Sequence, residues 1–330
     1  MRSFLAVSTN PSGQDGTHEM TGEGRCSSNA LAVVLGVLVT GTLVCGMEAA
    51  IGQQTDLQSR VNAASKQLTS HEYSLRYKFG EGEQLRYDVT HLATVRTRIQ
   101  GNSQESNSRS KSLKVWKIEG AQSDGTATLS HRVDAVDMWA EVTGREPISY
   151  NSQRDKTPPA EYEHVAKTIG VPISTVTISR FGQVLNRDDE VSQVNFGTGG
   201  LIVPLPEQPV KLGAEWSVAD SVNIEVDGVF KAIKTRQLYR LEKVETGVAT
   251  ISVTTQVLTP VDDQRIRSKL VQRLTQGEIR FDIDAGRVLS KRLDWDETVL
   301  GFDGPDSNMQ YLARWTEELR AETVAQVPRR

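Results

Sequence analysis

From about Tyr73 onward, apolar residues recur at every second position. In Leu85–Ile99 the odd positions are Leu85, Tyr87, Val89, His91, Ala93, Val95, Thr97 and Ile99. Arg86, Asp88, Thr90, Arg96 and Arg98 stand between them. A side-chain period of two sends one set to a core and the other to solvent, the pattern of a half-buried antiparallel strand. Ala127, Leu129 and Val133 continue it. The apolar parity then changes to Val136, Met138, Ala140 and Val142. One extra residue in one strand has this effect, so a β-bulge is expected near Ala135–Asp137.

The second half follows the same grammar. Trp216, Val218, Val222, Ile224 and Val226 alternate with polar residues and lead into Asp227-Gly228, a strong hairpin signal. Val229 begins the return strand toward Leu241, and Ala249, Ile251, Val253 and Val257 form the next. Ile279, Phe281 and Ile283 precede the turn Asp284-Ala285-Gly286, with Val288–Leu300 as partner and Met309, Tyr311, Ala313 and Trp315 as a last strand. Three stretches depart from the pattern. Pro159–Ile169 reads as a short helix with proline near its start. Residues 101–112 (GNSQESNSRSKS) contain no large apolar side chain and read as a mobile loop or a frayed hairpin tip. Asn195–Pro209 is rich in glycine and proline and reads as a junction.

The leading part of the chain is different in kind. Ala30–Met47 carries no charge across 18 residues, at the lower edge of the ~17–25 that cross a bilayer core. Two readings stand. One is a cleaved secretory signal, with Ala50-Ile51-Gly52 as the cleavage region before Gln53; the other is an uncleaved single-span anchor. The start is Met1 or Met20, which opens a shorter leader. Arg25 precedes the run and no Lys or Arg follows until Arg60, which favours the bulk of the chain outside the cytoplasm. Both cysteines, Cys26 and Cys45, lie in this region, so the rest has no disulfide and no thiolate chemistry. Thr42-Leu43-Val44-Cys45 is a poor lipidation site, because Val44 is not small. Residues 1–52 hold two of the 38 basic and four of the 42 acidic residues, leaving 36 and 38. A near-neutral remainder has no field for nucleic acid or anionic lipid.

The expected organisation is a leader over 1–52, an amphipathic helix over 53–72, a first β-unit over 73–194, a junction over 195–209 and a second β-unit over 210–330. The helix rests on Leu57, Val61, Ala64 and Leu68, with Thr55 as N-cap. The fold class is mainly β: an antiparallel, strongly curved sheet or half-barrel of two similar β-units, with an N-terminal hydrophobic helix and one or two short helices. Three segment pairs support the duplication. Gly82–Tyr87 echoes Gly213–Val218, Thr126–Leu129 echoes Val248–Ile251, and Gly182–Asn186 echoes Gly286–Ser290.

A leader, an amphipathic helix and a meander of long strands together resemble the curved half-barrel of periplasmic lipoprotein carriers and related uncharacterised bacterial envelope proteins. Asp56-Leu57-Gln58-Ser59-Arg60-Val61 resembles the start of the helix that packs in such half-barrels. Phe281-Asp282-Ile283-Asp284-Ala285-Gly286-Arg287-Val288-Leu289 is like the hairpins of secreted β-rich domains. The resemblance is architectural, spans roughly residues 55–315, and departs from a carrier in having two units rather than one.

The main catalytic signatures are missing: no Gly-x-Ser-x-Gly elbow, no His-Glu-x-x-His and no phosphate-cradling Gly-x-x-x-x-Gly-Lys-Ser/Thr. Gly197-Thr198-Gly199-Gly200 fails the dinucleotide pattern, because Ile202 stands where the last glycine belongs. His18, His71, His91, His131 and His164 have no metal-ligand spacing, and His91 and His131 share the apolar parity of their strands, which suggests a buried pair. Asp282, Asp284 and Gly286 lack the Glu that a calcium loop needs, and Asp188-Asp189-Glu190 and Asp303-Gly304-Pro305-Asp306 are turn compositions. Arg265, Arg267, Lys269 and Arg273 alternate with Ile266, Leu270, Val271 and Leu274, which reads as the solvated face of a strand; no aromatic is interleaved for stacking a nucleic acid. No catalytic residue, metal ligand or cofactor is therefore assigned. Trp116, Trp139, Trp216, Trp295 and Trp315 fall in expected strands, either as core or facing an apolar ligand on a concave surface. The reading is a non-enzymatic envelope protein, secreted or anchored through Ala30–Met47, that binds a lipid, another apolar molecule or an envelope protein partner, with no nucleic acid. Assembly through exposed strand edges and a hydrolase built on scattered carboxylates are the alternatives.

Overall fold

The computed structural model describes residues 71–189 and 202–321. The leader, both cysteines, His18 and the expected helix as far as Ser70 lie outside the described residues; His71 and Glu72 are not helical. The alternating segments form twelve antiparallel strands. The first half contributes β1 (Gln84–Ile99), β2 (Asn102–Ala121), β3 (Ala127–Val142), β4 (Ile148–Asn151), β5 (Pro172–Ile178) and β6 (Val184–Asp189). The second contributes β7 (Glu215–Val226), β8 (Val229–Glu245), β9 (Val248–Val257), β10 (Gln276–Asp282), β11 (Arg287–Leu300) and β12 (Asn308–Leu319). All belong to one open sheet in the order β6-β5-β3-β2-β1-β12-β11-β10-β9-β8-β7, with β4 beside β3. The two meanders meet where β1 pairs with β12, and the two edges, β6 and β7, are consecutive in the chain.

A single principal core joins both halves. It takes Leu85, Tyr87, Trp116, Ile118, Leu129, Val176 and Ile178 from the first meander, and Leu241, Ile251, Ile279, Phe281 and Trp315 from the second. Side chains on one face of strands so far apart in the sheet meet only if the sheet curls around them. The β2–β3, β5–β6, β8–β9 and β10–β11 turns lie at what we term the lower end. The β1–β2, β7–β8 and β11–β12 turns and the β9–β10 connection lie at the upper end.

The lower end is filled by the chain itself. Residues 71–79 and 202–212 cross it as two irregular segments joined by the Tyr73–Val210 bridge. The Tyr77 hydroxyl donates to the Val203 carbonyl and accepts from the Val203 N–H, both at 3.1 Å. Tyr77 N–H donates to Arg180 and Lys78 N–H to Gly286, which ties the segments to the β5–β6 and β10–β11 turns. Leu75, Tyr77, Val203 and Leu205 are buried in the principal core. Of the junction expected over 195–209, the described residues 202–206 are buried or half-buried against this core, and Glu207, Gln208 and Pro209 are exposed.

Four local expectations are corrected or refined. Residues 101–112 are not a loop: β2 starts at Asn102 and runs for 20 residues, paired to β1 throughout and to β3 from Ser106. Backbone pairing on both sides holds a strand whose side chains alone do not announce one. Pro159–Ile169 shrinks to a 3₁₀ turn (Ala160–Tyr162) followed by one turn of helix, α1 (Glu163–Ala166). The basic run is not a strand but α2 (Gln264–Leu270) followed by a 3₁₀ turn (Val271–Arg273). Asp263 caps α2 by accepting from Arg265 N–H, and Ile266 and Leu270, four apart, bury one face against Ile224 and Ile233. The parity change in β3 is a bulge at Asp134, where the partners of Leu113 and Lys114 are Ala135 and Val133.

Gly277 marks the tightest approach in the sheet. A Cβ there would lie 1.9 Å from the Arg292 carbonyl oxygen and 2.9 Å from Leu293 Cα, both backbone atoms of β11. Gly277→Ala is expected to lower the unfolding free energy by about 1–3 kcal/mol or more, because β10 and β11 must separate to admit the methyl group. Gly80→Ala, whose Cβ would meet nothing closer than 3.8 Å, is expected to be near neutral. Chemical denaturation of the two variants in parallel checks the difference.

Candidate functional site

The inward face of β11, β12, β1, β2 and β3 can be read in rows from the registers. Lowest are Leu85, Trp116 and His131, with Ser174 of β5 opposite His131. Above them lie Tyr87 with Lys114, then Lys291, Glu317, Val89 and Ser112. The next two rows are Leu293, Trp315, His91, Ser110 and Met138, then Trp295, Ala313, Ala93, Ser108 and Ala140. Glu297, Tyr311, Val95, Ser106 and Val142 follow, and Val299 and Met309 are highest. The wall passes from a charged belt, through a band of small residues, to an apolar rim.

The belt consists of Lys114, Lys291 and Glu317, exposed by only 5%, 6% and 4%. Glu317 accepts a hydrogen bond from Lys114 Nζ and forms an ion pair with Lys291 Nζ at 3.3 Å. Burial alone would raise the Glu317 carboxyl, but the two ammonium groups overcome it and hold it at about 2. Burial pushes the Lys114 amine down to about 8, opposed by Glu317. Its Nζ also lies 5.2 Å from the Tyr87 ring centre and 5.7 Å from that of Trp116, cation–π distances that return part of the lost hydration. Burial, with Lys114 second, pushes the His131 imidazole down to about 3, so it is neutral at physiological pH.

His91 and His131 do not form the expected pair. His131 stands against Trp116, with ring centres 4.9 Å apart, in the row of Leu85; His91 is six residues further along β1, roughly 20 Å at ~3.4 Å per residue. His91 instead lies against Trp295 at 6.2 Å and Trp315 at 5.8 Å, and burial lowers its pKa. Trp216 stacks on Tyr239 and donates Nε1–H to the Pro204 carbonyl. Trp139 points to the other face of the sheet, opposite Arg109 and Ser149. Of the five tryptophans, Trp295 and Trp315 share the upper wall, Trp116 sits in the lowest row, and Trp139 is excluded from the interior.

The Trp295 indole donates to the Gln272 carbonyl at 3.1 Å, which fixes the turn after α2 over β11. Beside that contact opens a cleft of about 330 Å³. Val257, Leu258, Pro260, Val261, Leu270 and Val299 form its apolar surface, and Glu297 and Arg267 are the charged residues on it. Burial raises the Glu297 carboxyl pKa, partly offset by Arg267. A second cleft of about 520 Å³ at the lower end is bordered by Arg86, Arg287 and Arg320, of which Arg287 and Arg320 are engaged by Glu83 and Asp88. Among the described residues no group of three His, Cys, Asp or Glu could hold a metal ion. Ser174 and His131 are register partners, but His131 Nε2 and Ser174 Oγ make no hydrogen bond, so no activated serine arises there.

The alternation pattern did not single out the belt or the cleft. The belt had a readable signal: Lys114, Lys291 and Glu317 are charges on the apolar parity of their strands. The cleft had none, since it is made by a helix misread as a strand.

No family model matches the chain, and no curated protein matches it. Among solved structures, it is similar to lipovitellin, in a structure of its lipid–protein interactions, at 13% identity and a TM-score of 0.42, over 74% of this chain. It spans 26% of the lipovitellin chain. It is also similar to the translocator domain of the autotransporter NalP from Neisseria meningitidis, at 8% identity and a TM-score of 0.23, over 82% of this chain and 97% of that one. A third is a DUF1329 family protein from Desulfovibrio piger, at 14% identity and a TM-score of 0.15, over 71% of this chain and 86% of that one. With every TM-score below 0.5, these likenesses assign neither a family nor an activity.

The belt makes stability depend on acid. Glu317 sits at about 2 folded against its ordinary 4.5, so between those values the unfolded chain binds more protons. The stabilisation is complete above pH 4.5 and is lost as pH falls toward 2, by up to about 1.4 kcal/mol per pH unit. Glu317→Ala removes the carboxylate that pairs with two buried ammonium groups and is expected to cost about 3–5 kcal/mol at pH 7 and to flatten the acid limb. Urea denaturation of both proteins between pH 7 and pH 3 checks both effects.

Proposed function

We propose that this chain is an exported, non-enzymatic protein of the cell envelope that binds an apolar molecule inside its curled sheet, at the upper end. The cleft between α2, the 257–261 segment and β11 carries this reading. It combines an apolar lining with two charged groups, and at about 330 Å³ it falls at the lower end of the ~300–1,000 Å³ typical of ligand sites. Glu297 and Trp295 are successive inward residues of β11, so the tryptophan wall and the cleft form one surface. An extracytoplasmic place is supported by the uncharged Ala30–Met47 run and by the confinement of both cysteines to it and its flank. No helix among the described residues is long and apolar enough to cross a membrane, so an anchor, where there is one, rests on that run.

A lipid or a similarly apolar small molecule is the proposed ligand class. The small side chains of Ala93, Ser108, Ala140 and Ala313 widen the interior beside the cleft, and Trp295 and Trp315 give it aromatic surface. The test uses the full chain and an environment-sensitive apolar fluorophore. Leu258→Glu, at a half-exposed lining position, is expected to weaken binding about tenfold or more with an unchanged denaturation midpoint. Val299→Trp, which fills the cleft from β11, is expected to do the same. Unchanged affinity in both variants would overturn the reading.

A further inference from the structure

Among the described residues the three most exposed large apolar ones all lie at the upper end: Phe230 at 69%, Leu300 at 67% and Val229 at 61%. Val229 and Phe230 follow directly on the Asp227-Gly228 turn, and Leu300 precedes the glycine that opens the β11–β12 turn. Leu258, half exposed at the mouth of the cleft, belongs to the same end, where its N–H donates to the Lys234 carbonyl. Helix α2 joins these tips. Arg265 bridges Asp227 at 2.5 Å and Asp263 at 3.0 Å, Lys269 donates to the Glu225 carbonyl, and α2 packs on both β7 and β11. The apolar tips therefore stand on one rim, interleaved with cations.

We propose that this rim docks on a lipid bilayer, with Val229, Phe230 and Leu300 entering the headgroup region and the surrounding lysines and arginines meeting anionic headgroups. Lys231, Lys234 and Arg267 are exposed and form no ion pair among the described residues. Long cationic side chains just behind apolar tips are the arrangement that lets a surface dip into lipid while its charges stay in the headgroups. A protein partner is the poorer fit. A stable interface needs about 800 Å² of continuous complementary surface per side, whereas these apolar groups sit on separate turns with cations between them. A second copy of the same rim would bring those cations together. The carboxylates of the rim, Glu225, Asp227, Asp262, Asp263, Asp303 and Asp306, slightly outnumber its five cations, so apolar insertion carries the attachment. The same chain also carries the uncharged 18-residue Ala30–Met47 run, a second feature suited to a membrane.

This inference goes beyond the ligand reading and does not require it, since docking is measured without a bound ligand. The full chain is prepared with Cys26→Ser and Cys45→Ser, and a single cysteine is introduced as Phe230→Cys, as Leu300→Cys, or as Leu185→Cys. Leu185 is 57% exposed and lies on β6 near the lower end, so it serves as control. Each cysteine is labelled with a nitrobenzoxadiazole fluorophore and mixed with vesicles of phosphatidylcholine containing one-third phosphatidylglycerol. The 230 and 300 labels are expected to shift to the blue, brighten about twofold or more and be quenched by spin-labelled lipid, while the 185 label stays unchanged. Responses of similar size on pure phosphatidylcholine and at high salt are expected, because apolar insertion carries the attachment. Silence at 230 and 300 overturns the proposal. So does an equal response at 185, which would mean that the Ala30–Met47 run alone holds the protein at the vesicle. A concentration-dependent shift without vesicles would assign the rim to self-association and overturn it as well.

Discussion

The pairing of β1 with β12 is the constraint on which the rest of the structure depends. It joins the first and last described strands through a twelve-pair register from Tyr87↔Leu319 to Arg98↔Asn308. Without it there are two separate meanders, each with an exposed apolar face and an additional open edge. With it, one sheet curls around one principal core. The contact is among the most non-local the chain can make, so the loop entropy is met before most of the core is gained, and folding should be slow for a chain of this size. The Lys114–Glu317–Lys291 belt spans this seam, with Lys114 on β2, Glu317 on β12 and Lys291 on β11. A slip of one residue between β1 and β12 would turn Glu317 outward and take its carboxylate away from both buried lysines. The belt therefore enforces the register, at a desolvation cost that apolar residues would not carry.

Much of the sheet was legible because its strands are half-buried. The alternation from Leu85 to Ile99 reappears as β1, Asp227-Gly228 as a hairpin turn with Asp227 at φ +53°, and the parity change after Val133 as a bulge. Residues 102–112 were illegible for a physical reason. Their inward side chains, Ser106, Ser108, Ser110 and Ser112, are all small and polar, so a strand there has no hydrophobic signature. Helix α2 was misread because Ile266, Leu270, Val271 and Leu274 admit both periods over so short a run; the N-cap at Asp263 was the clue that decides for a helix. The His91–His131 pair failed because a shared parity fixes a face but not a height along the strand. Trp139 failed because the bulge inverts its parity. The candidate site was thus visible in its residue types but not in its assembly.

The internal echoes in the sequence fall at corresponding places in the sheet once β4, which lies off the main path, is set aside. Gly82–Tyr87 and Gly213–Val218 lead into β1 and β7, the first strands of their meanders. Thr126–Leu129 and Val248–Ile251 open β3 and β9, the third strands. Gly182 and Gly286 close the β5–β6 and β10–β11 turns, both at positive φ. Bulges recur at matching places too: Ile118/Gly120 between β2 and β3 against Leu241/Lys243 between β8 and β9, and Thr177/Ile178 against Arg280/Phe281. Bulges set local twist, so bulges at matching places twist the open sheet at corresponding strand pairs of its two meanders. β12 has no counterpart in the first meander, and it is the strand that makes the seam.

The asymmetry between the two ends follows from where the buried charge lies. A charged belt in the lower half of the interior is tolerable only if its groups are paired and the surrounding space is filled by ordered groups. The chain supplies that filling with residues 71–79 and 202–212, fixed by the reciprocal Tyr77–Val203 hydrogen bonds. Gly182 and Gly286 are part of the same device. A Cβ at either would lie 2.6 Å from the nearest atom of the crossing segments, and each also needs the left-handed backbone of its turn. Among the described residues no such segment crosses the upper half, where small side chains line β1, β2 and β12, α2 leans in beside β11, and Tyr162 and Val165 pack on Val136 and Met138 of β3. The sheet is therefore closed by its own chain where it carries charge and left partly open where it is apolar. This division places the charged belt and its crossing segments at one end and the small and apolar wall residues at the other.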